Sequence, residues 1–71
     1  MRKIRLKITK EVLQSHGIKD QKELAEKAGV RESTVSDIVR GTRSVINFDH
    51  LSRIADALGV NDIRELIDFI D

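Results

Sequence analysis

Apolar residues recur along this chain at helical spacing, and glycines at positions 17, 29, 41 and 59 cut the recurrence into runs. Each glycine follows a run of period near 3.6 and so reads as a helix C-cap. Four stops and a C-terminal run predict five helices. Helix one starts at the N-cap Thr9, with Ile8 and Leu13 at the offsets of a hydrophobic staple. Val12, Leu13 and His16 line its inner face. Helix two follows the N-cap Asp20 and turns Leu24, Ala25 and Ala28 inward. Helix three runs from about Glu32 to Arg40, with Val35, Ile38 and Val39 inward. Helix four starts after Asn47 or Asp49 and turns in Leu51, Ile54, Ala55 and Leu58. Helix five opens on Asp62-x-x-Glu65, a capping-box-like pair, and carries Ile63, Leu66, Ile67, Phe69 and Ile70. The expected class is all-α, a single domain over residues 1–71.

The first eight residues follow a second pattern. Ile4, Leu6 and Ile8 alternate with Lys3, Arg5 and Lys7, which is strand period. Val45 and Ile46 give the segment after helix three β-branched character, so a short strand paired with residues 43–47 is one expectation. The other extends helix one backwards through Ile4, Ile8 and Val12. The strand is favoured because Thr9 serves better as a cap than inside a helix.

Residues 21–41, QKELAEKAGVRESTVSDIVRG, carry the functional signal. Ala25 lies one turn before Gly29, so a small side chain sits where two helices pack closest. Gly29 gives the turn its backbone freedom. Val35 and Ile38 point back at Leu24 and Ala28. A helical hairpin with a small residue, a turn glycine and two branched residues at these offsets fits a helix-turn-helix. Its first helix lies across a DNA backbone and its second enters the major groove.

Charge sharpens that reading. Residues 1–44 carry eleven Lys/Arg against six Asp/Glu, a balance of +5, and residues 45–71 carry two against six, a balance of −4. The basic half holds the helix-turn-helix, as reading a phosphate backbone requires. There is no cysteine, which removes disulfides, thiolate metal sites and cysteine nucleophiles and fits a cytoplasmic location. No apolar run approaches the ~20 residues of a membrane span, and no signal core follows the basic start. Tryptophan and tyrosine are absent, which argues against single-strand binding by aromatic stacking. His16 and His50 lack metal-ligand spacing, and Ser33, Thr34 and Ser36 sit on no nucleophile elbow. No enzyme, metal, cofactor or small-molecule effector site is expected.

Gln21 with Leu24-Ala25, Ala28-Gly29-Val30, Ser33-Thr34-Val35-Ser36, Arg40-Gly41 and the later LSRIADALGV resemble the phage-repressor-like helix-turn-helix family, the Cro/repressor or Xre class. The resemblance covers about residues 9–70. It implies a five-helix transcriptional regulator, usually dimeric on two half-sites, with Gln21 reaching a phosphate and the recognition helix. Arg31 departs from the pattern, standing where the family commonly caps the recognition helix with Ser or Thr. Glu32 and Asp37 place negative charge on that helix. Each repels phosphates, yet a carboxylate can accept from cytosine N4.

The expected base readers are Gln21, Glu32, Ser33, Ser36 and Asp37. Lys22, Arg31, Thr34, Arg40, Thr42, Arg43 and Ser44 are the expected phosphate contacts, with helix-two amides beside them. The basic N-terminal run reads either as a DNA-reaching arm or as a solvated strand face. Leu66, Phe69 and Ile70 exceed what one helix face can bury, which points to a homodimer surface on helix five. The best reading is a double-stranded-DNA-binding regulator, a repressor. The alternative is a protein-interaction module, as in antirepressors or toxin-neutralising partners.

Overall fold

The computed structural model describes residues 2–41 and 45–70. In chain order these form β1 (Lys3–Leu6), α1 (Lys10–Ser15), α2 (Gln21–Ala28), α3 (Glu32–Arg40), α4 (Phe48–Leu58), a 3₁₀ turn (Ile63–Glu65) and β2 (Ile67–Ile70). Four helices thus stand where the sequence predicts helices one to four, and their caps explain why. Thr9 Oγ1 accepts from the Val12 amide, and Asp20 accepts from the Glu23 amide at 2.9 Å. Asn47 Oδ1 accepts from the Asp49 and His50 amides, which fixes the start of α4 at the earlier of its two candidate positions. The staple residues Ile8 and Leu13 are both buried.

The C-terminal run departs from the expected fifth helix. Asp62 accepts from the Arg64 amide and binds the Arg64 guanidinium, so no capping box forms with Glu65. The chain makes one 3₁₀ turn and then extends as β2. The strand partner expected for the N-terminus at residues 43–47 is also replaced. β1 pairs antiparallel with β2, in the register Lys3↔Ile70, Ile4↔Phe69, Arg5↔Asp68 and Leu6↔Ile67. Residues 42–44 lie outside the described residues, and Val45, Ile46 and Asn47 are in no strand. The class is therefore mainly helical with a two-stranded ribbon rather than all-α.

Several interactions select this partner. Ile67 and Phe69 alternate with Asp68, matching the period of Ile4, Arg5 and Leu6. Asp68 meets Arg5 through a two-point contact of 2.7 and 3.1 Å. Opposite charges directly across a strand pair favour that register. Lys7 continues the ladder by donating its amide to the Leu66 carbonyl.

One core underlies all of this. Its deepest side chains are Ile8, Leu13, Ile18, Leu24, Val35, Ile54 and Leu66. They come from both chain ends and the first four helices, so the ribbon root, at Ile8 and Leu66, is anchored in the same core as the helical hairpin. Helix α4 packs against α2, and Arg53 of α4 reaches the Gly29 carbonyl at 3.4 Å while pairing with Asp49.

Candidate nucleic-acid interface

Helices α2 and α3 meet across a turn whose geometry depends on Gly29. Its φ of 70° lies in the left-handed region, and its amide donates to the Ala25 carbonyl at 2.9 Å. The chain then re-enters extended backbone at Arg31 and starts α3. Leu24, Ala25 and Ala28 of α2 are buried, as are Thr34, Val35 and Ile38 of α3. This contact fixes the rotation of α3 about its own axis. Residues at the complementary offsets 33, 36, 37 and 40 are therefore turned away from the core.

Glu32, Ser33 and Arg40 are exposed, and Ser36 and Asp37 are half-buried. Asp37 does not stand alone on this face. Its carboxylate accepts from Arg40 Nη2 at 3.1 Å, an i,i+3 pair one turn along the helix. The negative charge that looks hostile to phosphates is thus partly balanced from within α3. Glu32 in the first turn and Arg40 in the last also match the helix dipole. Arg31 makes no side-chain cap hydrogen bond, so the capping contribution of a Ser or Thr, typically about 1 kcal/mol, is absent here. The Arg31 side chain is exposed at the entry to α3.

The starts of α2 and α3 and the first residue of α1 border one open cleft of about 420 Å³. Lys10, Lys19 and Lys22 line it together with Leu13, Asp20, Gln21 and Glu32. Gln21 is half-buried at the first position of α2, and Lys22 beside it is exposed. Their side chains thus border α3 at Glu32. Lys10 and Lys19 were missed from the sequence. Both are ordinary surface lysines by pattern; Lys19 is a sequence neighbour of Lys22, and the packing of α1 beside α2 brings Lys10 to the same cleft.

Other expected site residues fall elsewhere. Thr34, expected at a phosphate, is only 6 % exposed, so little of it is open to a backbone contact. Thr42, Arg43 and Ser44 lie outside the described residues. Leu66 is fully buried, which removes it from any surface for a second copy. Phe69 is exposed and Ile70 half-buried, both on β2 rather than on a fifth helix. Basic residues of the N-terminal run belong largely to the ribbon: Arg5 and Lys7 both lie against Asp68, at 2.7 and 3.9 Å. The Arg5 hydrogen bond holds the Asp68 carboxyl below the usual carboxylate range. Among the described residues no helix is long and apolar enough to cross a membrane.

Known sequences agree with this geometry. A family model for the Cro/C1-type helix-turn-helix DNA-binding domain matches residues 10–71, and the chain belongs to that family. No curated protein and no solved structure matches the chain.

Proposed function

We propose that this Cro/C1-type domain is a sequence-specific regulator that inserts α3 into the major groove of duplex DNA and acts as a repressor in the cytoplasm. The observation that carries the reading is the division of α3. Thr34, Val35 and Ile38 lock it against α2, while Ser33, Ser36, Asp37 and Arg40 are left on the outer face. Residues near the start of such a helix reach base edges. Ser33 and Glu32 are accordingly the first base readers, with Gln21, Ser36 and Asp37 beside them. Lys22, Arg31 and Arg40 contact phosphates, and the lysine-rich cleft at Lys10 and Lys19 extends that track. Arg43, with Thr42 and Ser44, is assigned to the backbone from its sequence position alone. A protein seated on a promoter excludes others, which gives repression as the sign of regulation.

Two copies acting together would place two recognition helices about 34–36 Å apart and favour a near-palindromic site. Lys22, Arg31, Arg40 and Arg43, with Lys10 and Lys19, give about six phosphate contacts a copy and about twelve in a dimer. The binding constant should then fall with salt at a log–log slope near −11. Selection of random duplexes by the purified protein, followed by titration between about 50 and 200 mM salt, tests this. A recovered consensus with that slope supports the reading. No shift of any duplex at low salt overturns it and leaves the protein-interaction module standing.

A further inference from the structure

Four large apolar side chains stand out of the surface beside the ribbon. Ile4 is 68 % exposed, Phe69 60 %, Phe48 80 % and Ile63 51 %. They come from β1, β2, α4 and the 3₁₀ turn, yet they form one patch. Ile4 and Phe69 are direct cross-strand partners and share a face of the ribbon. The next pair on that face is Leu6 with Ile67. Ile67 in turn lines a shallow groove of about 310 Å³ with Phe48, Leu51, Ser52, Ala55 and Ile63. The apolar strip therefore runs from the outer end of the ribbon to α4.

We propose that this patch is where a second copy of the chain docks, an assignment that rests on the homodimeric, DNA-binding reading above. Area, shape and charge point to a second copy. A stable interface buries about 800 Å² a partner, roughly a sixth of this chain's 5154 Å² surface. At their observed exposures the two phenylalanines alone offer on the order of 200–350 Å². Ile4 and Ile63 add to that, and a polar rim supplies the remainder. The patch is also self-complementary: a projecting aromatic, Phe69, lies beside a groove open to a projecting side chain. A two-fold axis through the patch sets each projection against the other copy's groove.

Two of the carboxylates beside the patch are already matched within each chain. Asp68 lies on Arg5 and Lys7, and Asp62 on Arg64 at 2.8 Å. Those two do not meet bare when two copies dock, and the Arg2 guanidinium lies over the Phe69 ring at 5.1 Å, which adds positive charge to the same edge. The groove of the patch shares no residue with the cleft at the starts of α2 and α3 that is assigned to DNA. The inner pair of the ribbon's apolar face, Leu6 and Ile67, packs on the core, while the outer pair, Ile4 and Phe69, is left for a second copy to cover.

Sedimentation equilibrium of the full chain tests the assignment, with Phe48→Ser, Phe69→Ser and Val45→Ser compared with the wild type. Val45 is 79 % exposed but is not among the residues of the patch or groove, so it controls for general loss of surface apolarity. Each phenylalanine variant should raise the dimer dissociation constant at least about 10-fold, as expected for aromatic anchors. Val45→Ser should leave it unchanged, and circular dichroism should show equal helix content throughout. Binding of a duplex carrying one half-site is measured in parallel. A monomeric wild type, free and on a two-half-site duplex, overturns the docking surface, as does association that ignores both phenylalanines. Retained half-site binding in that case leaves the DNA-binding reading intact. A normal dimer that binds no duplex overturns the function and leaves the surface.

Discussion

Truncating Leu66 to alanine distinguishes two fates that this side chain could have had. On a fifth helix facing a partner, it would contribute mainly to association. In the observed fold it is fully buried, between the 3₁₀ turn and β2, and the Leu66 carbonyl accepts the Lys7 amide at the ribbon root. Leucine-to-alanine changes at such sites cost about 2–5 kcal/mol, the spread reflecting how far the cavity collapses. A domain of this length has a total stability of roughly 4–11 kcal/mol. The variant should thus lose a large share of it. At 4–8 °C for each kcal/mol in a small domain, the melting temperature should fall by about 8–40 °C. Thermal and urea melts followed by circular dichroism, at a low and a high protein concentration, measure the loss. The deficit should persist at the low concentration, because the contacts removed lie within one chain. A loss below about 1 kcal/mol there, or a deficit seen only where the protein associates, would refute the placement of Leu66 in the core and with it the pairing of β1 with β2.

Asp37→Ala tests the inner balance of the recognition helix. If Asp37 reads a cytosine, the change costs about 1–3 kcal/mol at the preferred site and relaxes one base position. If it chiefly tethers Arg40, affinity for all duplexes rises as the guanidinium is released to phosphate. Unchanged affinity and specificity would take Asp37 out of the interface. Lys22→Ala should weaken all sequences alike and reduce the salt slope by about 1 a copy; altered base preference at constant slope would contradict its assignment to phosphate. The Arg64 contacts, chiefly its side-chain hydrogen bond, lower the Asp62 pKa to about 2, below the ordinary 3.8. That contribution is complete above the unfolded value and is lost as pH falls from about 3.8 to 2. Carboxyl-carbon NMR titration should show the low midpoint in the wild type and a return toward 3.8 in Arg64→Gln. A wild-type midpoint near 3.8 would remove the pair.

The sequence by itself determined what depends on neighbours a few residues apart. Helix starts at Thr9, Asp20 and Asn47 are set by side chains that bond amides two or three positions on, and helix ends by glycines that take a left-handed φ. The helix-turn-helix is legible for the same reason, since Ala25, Gly29, Val35 and Ile38 lie within fourteen consecutive residues. The C-terminal run was ambiguous because Ile63, Leu66, Ile67, Phe69 and Ile70 satisfy a helical period while Ile67 and Phe69 also satisfy a strand period. Only a partner more than sixty residues away, β1 with Arg5 opposite Asp68, decides between them. The same non-local step buries Leu66 and leaves Phe69 exposed beside Ile4. The hydroxyl of Thr34 reads as polar surface, whereas the placement of α3 in the fold leaves it buried. Lys10 joins Lys22 only once α1 and α2 are packed. Local hydrogen bonds and backbone conformation are written in adjacent residues; burial and strand pairing are settled by which distant segments compete for the same surface.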